Sequence, residues 1–204
     1  MADQKMNSLR VPKSKPKTKY SKERERKINM AVKEILLLGN PQLYQISGPI
    51  RENELGLMQD VVANLHDTLM DFRRRYNAGR AIAAPQIGVM KRLLYMCVER
   101  PVIFINPVLD QKSEEMMEVW DDCMCFPELL VKVLRHRSCS IRYLNWQWKE
   151  ETMRLEGDLS ELIQHEYDHL DGILATSRAI DSRSFALRSQ KKFLKLDGIS
   201  FCKT

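Results

Sequence analysis

Between Asn53 and Tyr76 the apolar positions Leu55, Met58, Val62, Leu65, Leu69 and Phe72 recur at helical spacing. They predict an amphipathic helix that Asn53 can cap and whose C-terminal end Arg73, Arg74 and Arg75 favour. His66 reads as an ordinary surface or core histidine of that helix. Two unbroken apolar runs follow, residues 93–98 and 102–105, which read as buried strands, with Asn106-Pro107 closing the second. Residues 128–135 and 139–145 read as another strand pair, and the alternation Cys139, Ile141, Tyr143 fits a sheet with one polar face. Arg135, His136 and Arg137 are expected near the turn between them, with His136 exposed and not a ligand. Ahead of these elements, residues 28–38 alternate basic and apolar positions as a short helix or strand lead-in. Gly39-Asn40-Pro41 and Ser47-Gly48-Pro49 are breakers. A further helix is expected at about 158–172, with Asp158 as its cap, Glu161 at its third position and Gly172 at its end. Residues 182–196 predict a basic C-terminal helix, apolar on one side only. Strands in the middle with helices near both ends indicate an α+β fold.

The chain has 204 residues, which suits one domain with a real core plus an extension. No apolar run approaches about 18 residues, so no membrane span is expected. The first residues lack the apolar stretch of a secretory signal. Five cysteines, an odd number at irregular spacing, fit reduced thiols in a cytoplasmic or organelle-matrix compartment. Charge is concentrated at the start. Residues 1–27 carry ten Lys/Arg against three Asp/Glu, so the overall +6 belongs to this segment and the remainder is near neutral. Its Lys-, Pro- and Ser-rich composition predicts disorder. It reads as a solubilising arm or as an electrostatic grip on RNA such as ribosomal RNA. The acids Glu23 and Glu25 fit a transit peptide less well.

The chemistry centres on His165-Glu166-Tyr167-Asp168-His169. On a helix the two histidines project from one face, one turn apart, so both imidazoles can bind one metal ion. Glu166 is then close enough to handle a proton of metal-bound water without being a ligand. A third ligand is needed. No Glu follows Glu166, and Ala175 stands where the extended form of this motif has a ligand. The third ligand is therefore expected upstream, with Cys123 and Cys125 as the candidates. A Cys-His-His set leaves a coordination position for water, the catalytic arrangement, and suits zinc, ferrous iron or another divalent transition metal. The segment 77–88 is rich in small residues, letting backbone approach something closely, with the Gln86 amide beside it.

Three separated stretches together resemble the peptide deformylase family. Gly79-Arg80-Ala81-Ile82-Ala83-Ala84-Pro85-Gln86 resembles its GxGxAAPQ motif, Asp121-Asp122-Cys123-Met124-Cys125 a divergent EGCLS, and His165 to Gly172 its HExDHLxG. The resemblance implies a catalytic domain over 28–180, with antiparallel or mixed sheets around the HExxH helix, followed by a tail at 181–204. It implies Cys123, His165 and His169 as ligands of one divalent ion, Fe2+ with Zn2+ or Ni2+ as substitutes. It implies Glu166 as general acid and base, and the Gln86 amide and Met124 backbone N–H as oxyanion donors. Gly79, Arg80, Ala81, Ile82, Asp121, Glu161 and Leu162 become candidate substrate contacts. The implied reaction removes the formyl group from N-formylmethionine of nascent peptides. The basic extension and C-terminal helix would dock the ribosome, and the enzyme is expected to be a monomer.

Several residues depart from the family pattern. Ala81 replaces a glycine and is expected to narrow the substrate's approach by a methyl. Asp122 also replaces a glycine, and a side chain there is unexpected. Cys125 replaces a serine. Arg80 and Glu161 stand where apolar pocket walls are usual, and an ion pair between them across the pocket mouth is expected. These departures leave two alternatives: a catalytically weak homologue that binds peptide N-termini at the ribosome, or a hydrolase of altered specificity.

Overall fold

The computed structural model describes residues 32–194. The basic segment 1–27 lies outside them. Residues 32–38 form no regular element. Leu36 N–H donates to the Gln86 carbonyl at 2.8 Å and Leu38 N–H to that of Cys125 at 2.9 Å.

The first long helix is α1, Leu55–Tyr76. It is entered through a 3-10 turn at Glu52–Glu54, so its N-cap is Glu54 rather than Asn53, which sits inside that turn. Asn77, at φ 50°, ends it in the left-handed conformation that asparagine tolerates. Arg73 in its last turn donates to the carbonyls of Gly79 at 2.9 Å and Cys97 at 2.6 Å, tying the helix end to the strands.

Five strands form one antiparallel sheet: β1 Ala81–Ala83, β2 Leu93–Cys97, β3 Pro101–Asp110, β6 Ser138–Leu144 and β7 Glu150–Glu156, in that spatial order. A second sheet holds β4 Met116–Asp122, β5 Leu129–His136 and β8 Phe185–Leu187. The helix α2, Asp158–Leu170, packs against β1, β5 and β7.

The unbroken apolar run of β2 has a physical reason. Successive side chains leave a strand on opposite faces, and both faces here are covered. Leu94, Met96 and Phe104 pack with Leu162, Ile163 and Leu170 of α2. Leu93, Tyr95 and Ile105 pack with Leu65, Leu69 and Phe72 of α1. In β6 the alternating Cys139, Ile141 and Tyr143 all join the α2 side. His66 reaches the Tyr95 hydroxyl with Nδ1 at 2.6 Å.

Three expectations are corrected. Residues 128–135 and 139–145 do not pair with each other. β5 pairs with β4 and β6 with β3 and β7, in different sheets. Only Arg137 separates β5 from β6, too little for a two-residue hairpin, so the chain passes on into the other sheet. Asn106-Pro107 does not close β3. It forms a bulge at Asn106, φ 49°, where the register shifts between Ile105 and Val108. The Asn106 amide grips the backbone of Ile50 through two 2.8 Å hydrogen bonds, and Pro107 costs nothing where no ladder bond is needed. The described part of the expected C-terminal helix is instead β8 and a 3-10 turn at Arg188–Phe193. Phe185, Ala186 and Leu187 pair with Val131, Leu130 and Leu129, and this edge of β5 outcompetes a marginal isolated helix.

Candidate metal centre and its cavity

The α2 helix begins at Gly157, φ 58°, which takes the cap position. Asp158 is therefore the first helical residue and not the cap, and its carboxylate turns to Arg80. The helix ends where the Asp168 carbonyl accepts from Asp171 and Ile173. Gly172 follows at φ 69°, and a Cβ there would stand 2.5 Å from the Tyr44 carbonyl oxygen. Only glycine meets both conditions. One stripe of α2 packs on the five-stranded sheet, and His165, Glu166 and His169 are buried on another.

Cys123 and Cys125 lie in the loop that leaves β4, both buried. Cys123 Sγ stands 3.3 Å from His169 Nε2. Cys123, Cys125 and His169 offer one atom each, all within 4.8 Å of one another. The His165 and His169 rings meet edge to face, centroids 5.0 Å apart. Burial and then the neighbouring His165 push the His169 imidazole well below its usual pKa, leaving it neutral and able to donate a lone pair. Burial and the contact with Cys125 push the Cys123 thiol up, whereas contact with Cys123 draws Cys125 down despite burial. His169 Nδ1 and Glu166 Oε2 are buried without a hydrogen-bond partner among the described residues. Two thiols and the His169 imidazole converge in a dry site with orphaned polar atoms beside them, a set that fits a borderline-soft divalent cation; the His165 ring stands next to this set rather than within it.

Gln86 is oriented by its own loop. Its Oε1 accepts from Ala83 N–H at 2.7 Å, which turns Nε2 toward Cys125 Sγ at 3.6 Å and Cys123 Sγ at 3.7 Å. The Glu166 carboxyl is raised to about 7, chiefly by burial and against the pull of His165.

Behind these side chains lies a charge network that sequence reading missed. Arg135 donates to Asp168 at 2.5 Å and to Asp121 at 2.7 Å, and all three are buried. Arg178 holds both oxygens of Asp168 at 2.6 Å. Asp121 Oδ1 is 2.8 Å from His165 Nδ1, a charge contact without an aligned hydrogen bond. Burial alone would raise the Asp121 carboxyl, but His165 and Arg135 hold it well below the usual range. Burial opposes charge on His165, yet Asp121 outweighs it and lifts this imidazole to about 10. Arg135 is thus no turn residue. It follows Val131 and Val133 on the inward face of β5, and a charge at the end of an inward apolar alternation was the available signal. His136 is half-buried, with Nδ1 2.7 Å from the Ser113 carbonyl oxygen.

A cavity of about 580 Å³ opens onto this centre. Gly79, Arg80, Ala81, Gln86, Cys123, Met124, Glu161, Leu162, His165 and Glu166 line it. Ile82 and Asp121 lie off this lining: Ile82 faces the α1 core and Asp121 faces Arg135. Ala81 is 3% exposed and packs beside Leu162, so its methyl is mostly absorbed by the core. Asp122 points out of β4 on the opposite side from Asp121 and pairs with Arg188 at 2.8 Å. Arg188 also donates to the Pro127 carbonyl, so the aspartate at this glycine position anchors the C-terminal segment as a cavity wall. Arg80 stands 2.9 Å from Asp158 and 3.4 Å from Glu161.

Comparison with known proteins points to one family. The family model described as polypeptide deformylase matches residues 32–185. Peptide deformylase 1 of Prochlorococcus marinus is 35% identical over 173 residues, covering 79% of this chain and 88% of the relative. The crystal structure of the Thermotoga maritima peptide deformylase superposes with a TM-score of 0.67 at 27% identity, covering 74% of this chain and 99% of that one. A class I type b peptide deformylase of Acinetobacter baumannii, solved with Met-Ala-Ser bound, gives 0.66 at 27% identity, covering 72% and 98%. Among the described residues no helix is long and apolar enough to cross a membrane. The chain belongs to the polypeptide deformylase family, enzymes that remove the N-formyl group from nascent peptides.

Proposed function

We propose that this chain hydrolyses the N-formyl amide of peptides beginning with formylmethionine, releasing formate and a free amine. The observation that carries this reading is Glu166, a buried carboxyl near pKa 7 with a free oxygen, on the wall of a cavity beside converging thiol and imidazole donors. Cys123, His165 and His169 would hold one divalent ion, ferrous iron with zinc or nickel as substitutes. When bound, such an ion polarises the formyl oxygen and makes water a usable nucleophile near neutral pH.

The chain's own residues do the rest. Glu166 takes the proton of the attacking water and returns it to the leaving amine nitrogen, a double role that suits a carboxyl poised near neutrality. Gln86 Nε2 and the Met124 backbone N–H would face the developing oxyanion, where losing one donor costs about 3–4 kcal/mol. β1 is the edge strand of its sheet, so an extended peptide can pair beside Gly79 to Ala81. Asp121 and Arg135 hold the His165 ring in place from behind. The Acinetobacter relative binds Met-Ala-Ser, the peptide this reaction would leave.

The test is formate release from formyl-Met-Ala-Ser by iron- or nickel-loaded protein, with Glu166→Gln as the control. No release despite bound metal would rule this reading out.

A second reading, altered specificity, is favoured by Arg80, whose charge with Glu161 lines the cavity. The basic segment 1–27 would bring a monomer to the ribosome. Deleting it should weaken salt-sensitive co-sedimentation, a cleaner test than truncating residues 182–204, which include a cavity wall.

A further inference from the structure

We propose that Cys125 is a second thiolate ligand, so that this chain grips its metal ion through Cys123, Cys125 and His169, with His165 completing the set. The inference rests on the metal-centre reading above and adds a ligand that the family's Cys-His-His pattern does not contain.

Position 125 carries serine in the motif this loop resembles, and the change to cysteine is not a surface event. Cys125 is 1% exposed, and its sulfur lies within 4.8 Å of both Cys123 Sγ and His169. Metal-binding thiolates need hydrogen-bond donors around them, and this pair has them. Gln86 Nε2 lies 3.6 Å from one sulfur and 3.7 Å from the other, and the Cys125 backbone N–H donates to Cys123 Sγ at 3.4 Å. Two buried thiolates side by side carry a desolvation and repulsion cost that a divalent cation between them removes. Cys139 shows the contrast. It is as deeply buried, yet it packs among apolar side chains and meets only the Ser160 hydroxyl at 3.4 Å, as a structural cysteine does.

A second thiolate has consequences. It makes the donor set softer, favouring zinc over ferrous iron. With His165 it would make four protein donors, so that a reacting water must displace one of them or enlarge the set to five. The inference therefore predicts a tightly held zinc and slow turnover.

The test is X-ray absorption spectroscopy on the full chain loaded with zinc, which counts sulfur scatterers without depending on activity. The expected result is two sulfurs per zinc at about 2.3 Å in the wild type, falling to one in Cys125→Ser. One sulfur in the wild type overturns the proposal and leaves the Cys-His-His reading standing. No zinc retained by the folded wild-type protein sinks both.

Discussion

The guanidinium of Arg80 stands 3.4 Å from the carboxylate of Glu161, across 81 positions of chain. Asp158 shares it at 2.9 Å, one turn nearer the start of α2. Both Arg80 and Glu161 are mostly withdrawn from water; Asp158 balances the Arg80 charge, while Glu161 keeps its proton at neutral pH and accepts from Arg80 through a carboxyl oxygen. The pair lines the cavity, and under the proposed reaction it would border the first side chain of the peptide. Arg80→Leu with Glu161→Ile should therefore raise kcat/KM for formyl-Met peptides relative to formyl peptides with small or acidic first residues. A pocket change of this size is worth about 10- to 100-fold. Parallel assays of wild type and double variant measure it, and an unchanged preference would exclude a role in specificity.

Glu161 also sets a pH dependence of stability. Burial and the nearby Asp121 raise its carboxyl to about 8, against the 4.5 of an unhindered carboxyl, even with Arg80 pulling the other way. Between these values the folded chain keeps a proton that the unfolded chain releases, so this group's contribution is full below about 4.5 and is lost as pH rises through about 8. Glu161→Gln removes that loss. The Tm difference between variant and wild type should grow in the variant's favour across this window, and parallel thermal melts read it directly.

Glu166→Gln should keep the fold and the bound metal but lose the proton relay. Formate release should fall by about 10²- to 10⁴-fold with metal content unchanged. Metal analysis alongside the assay separates this from simple metal loss.

Arg135→Met should be among the costliest single changes. It leaves Asp121 buried against His165 alone and Asp168 with only Arg178. Breaking a buried pair from one side costs about 3–5 kcal/mol. Chemical denaturation measures the loss, and adding Asp121→Asn should recover part of it because the stranded charge disappears.

Gly172→Ala tests the end of α2. The φ of 69° and the Tyr44 carbonyl oxygen 2.5 Å from the new Cβ both oppose it. A cost of about 1–3 kcal/mol is expected from backbone strain, rising with the clash, and is visible in the same unfolding assay.

The sequence by itself determined the helices with strong period, the buried strands and which side chains could share one site. Local spacing suffices for these: apolar side chains every three or four residues place α1, and two histidines four apart on α2 share a face whatever surrounds them. The Arg80–Glu161 contact was legible because two departures from one family pattern fell at two pocket positions. Tertiary structure alone decided the rest. Strand order depends on which edges meet after the chain has turned, so β5 and β6 looked like neighbours and went to different sheets. The short strand β8 exists only because the edge of β5 is there to accept it. Asp121 and Asp122 are adjacent in sequence, yet strand alternation sends one to the buried Arg135 and the other to Arg188 at the cavity wall. A residue's type sets what it can bond to, and only the folded chain brings the partner within reach.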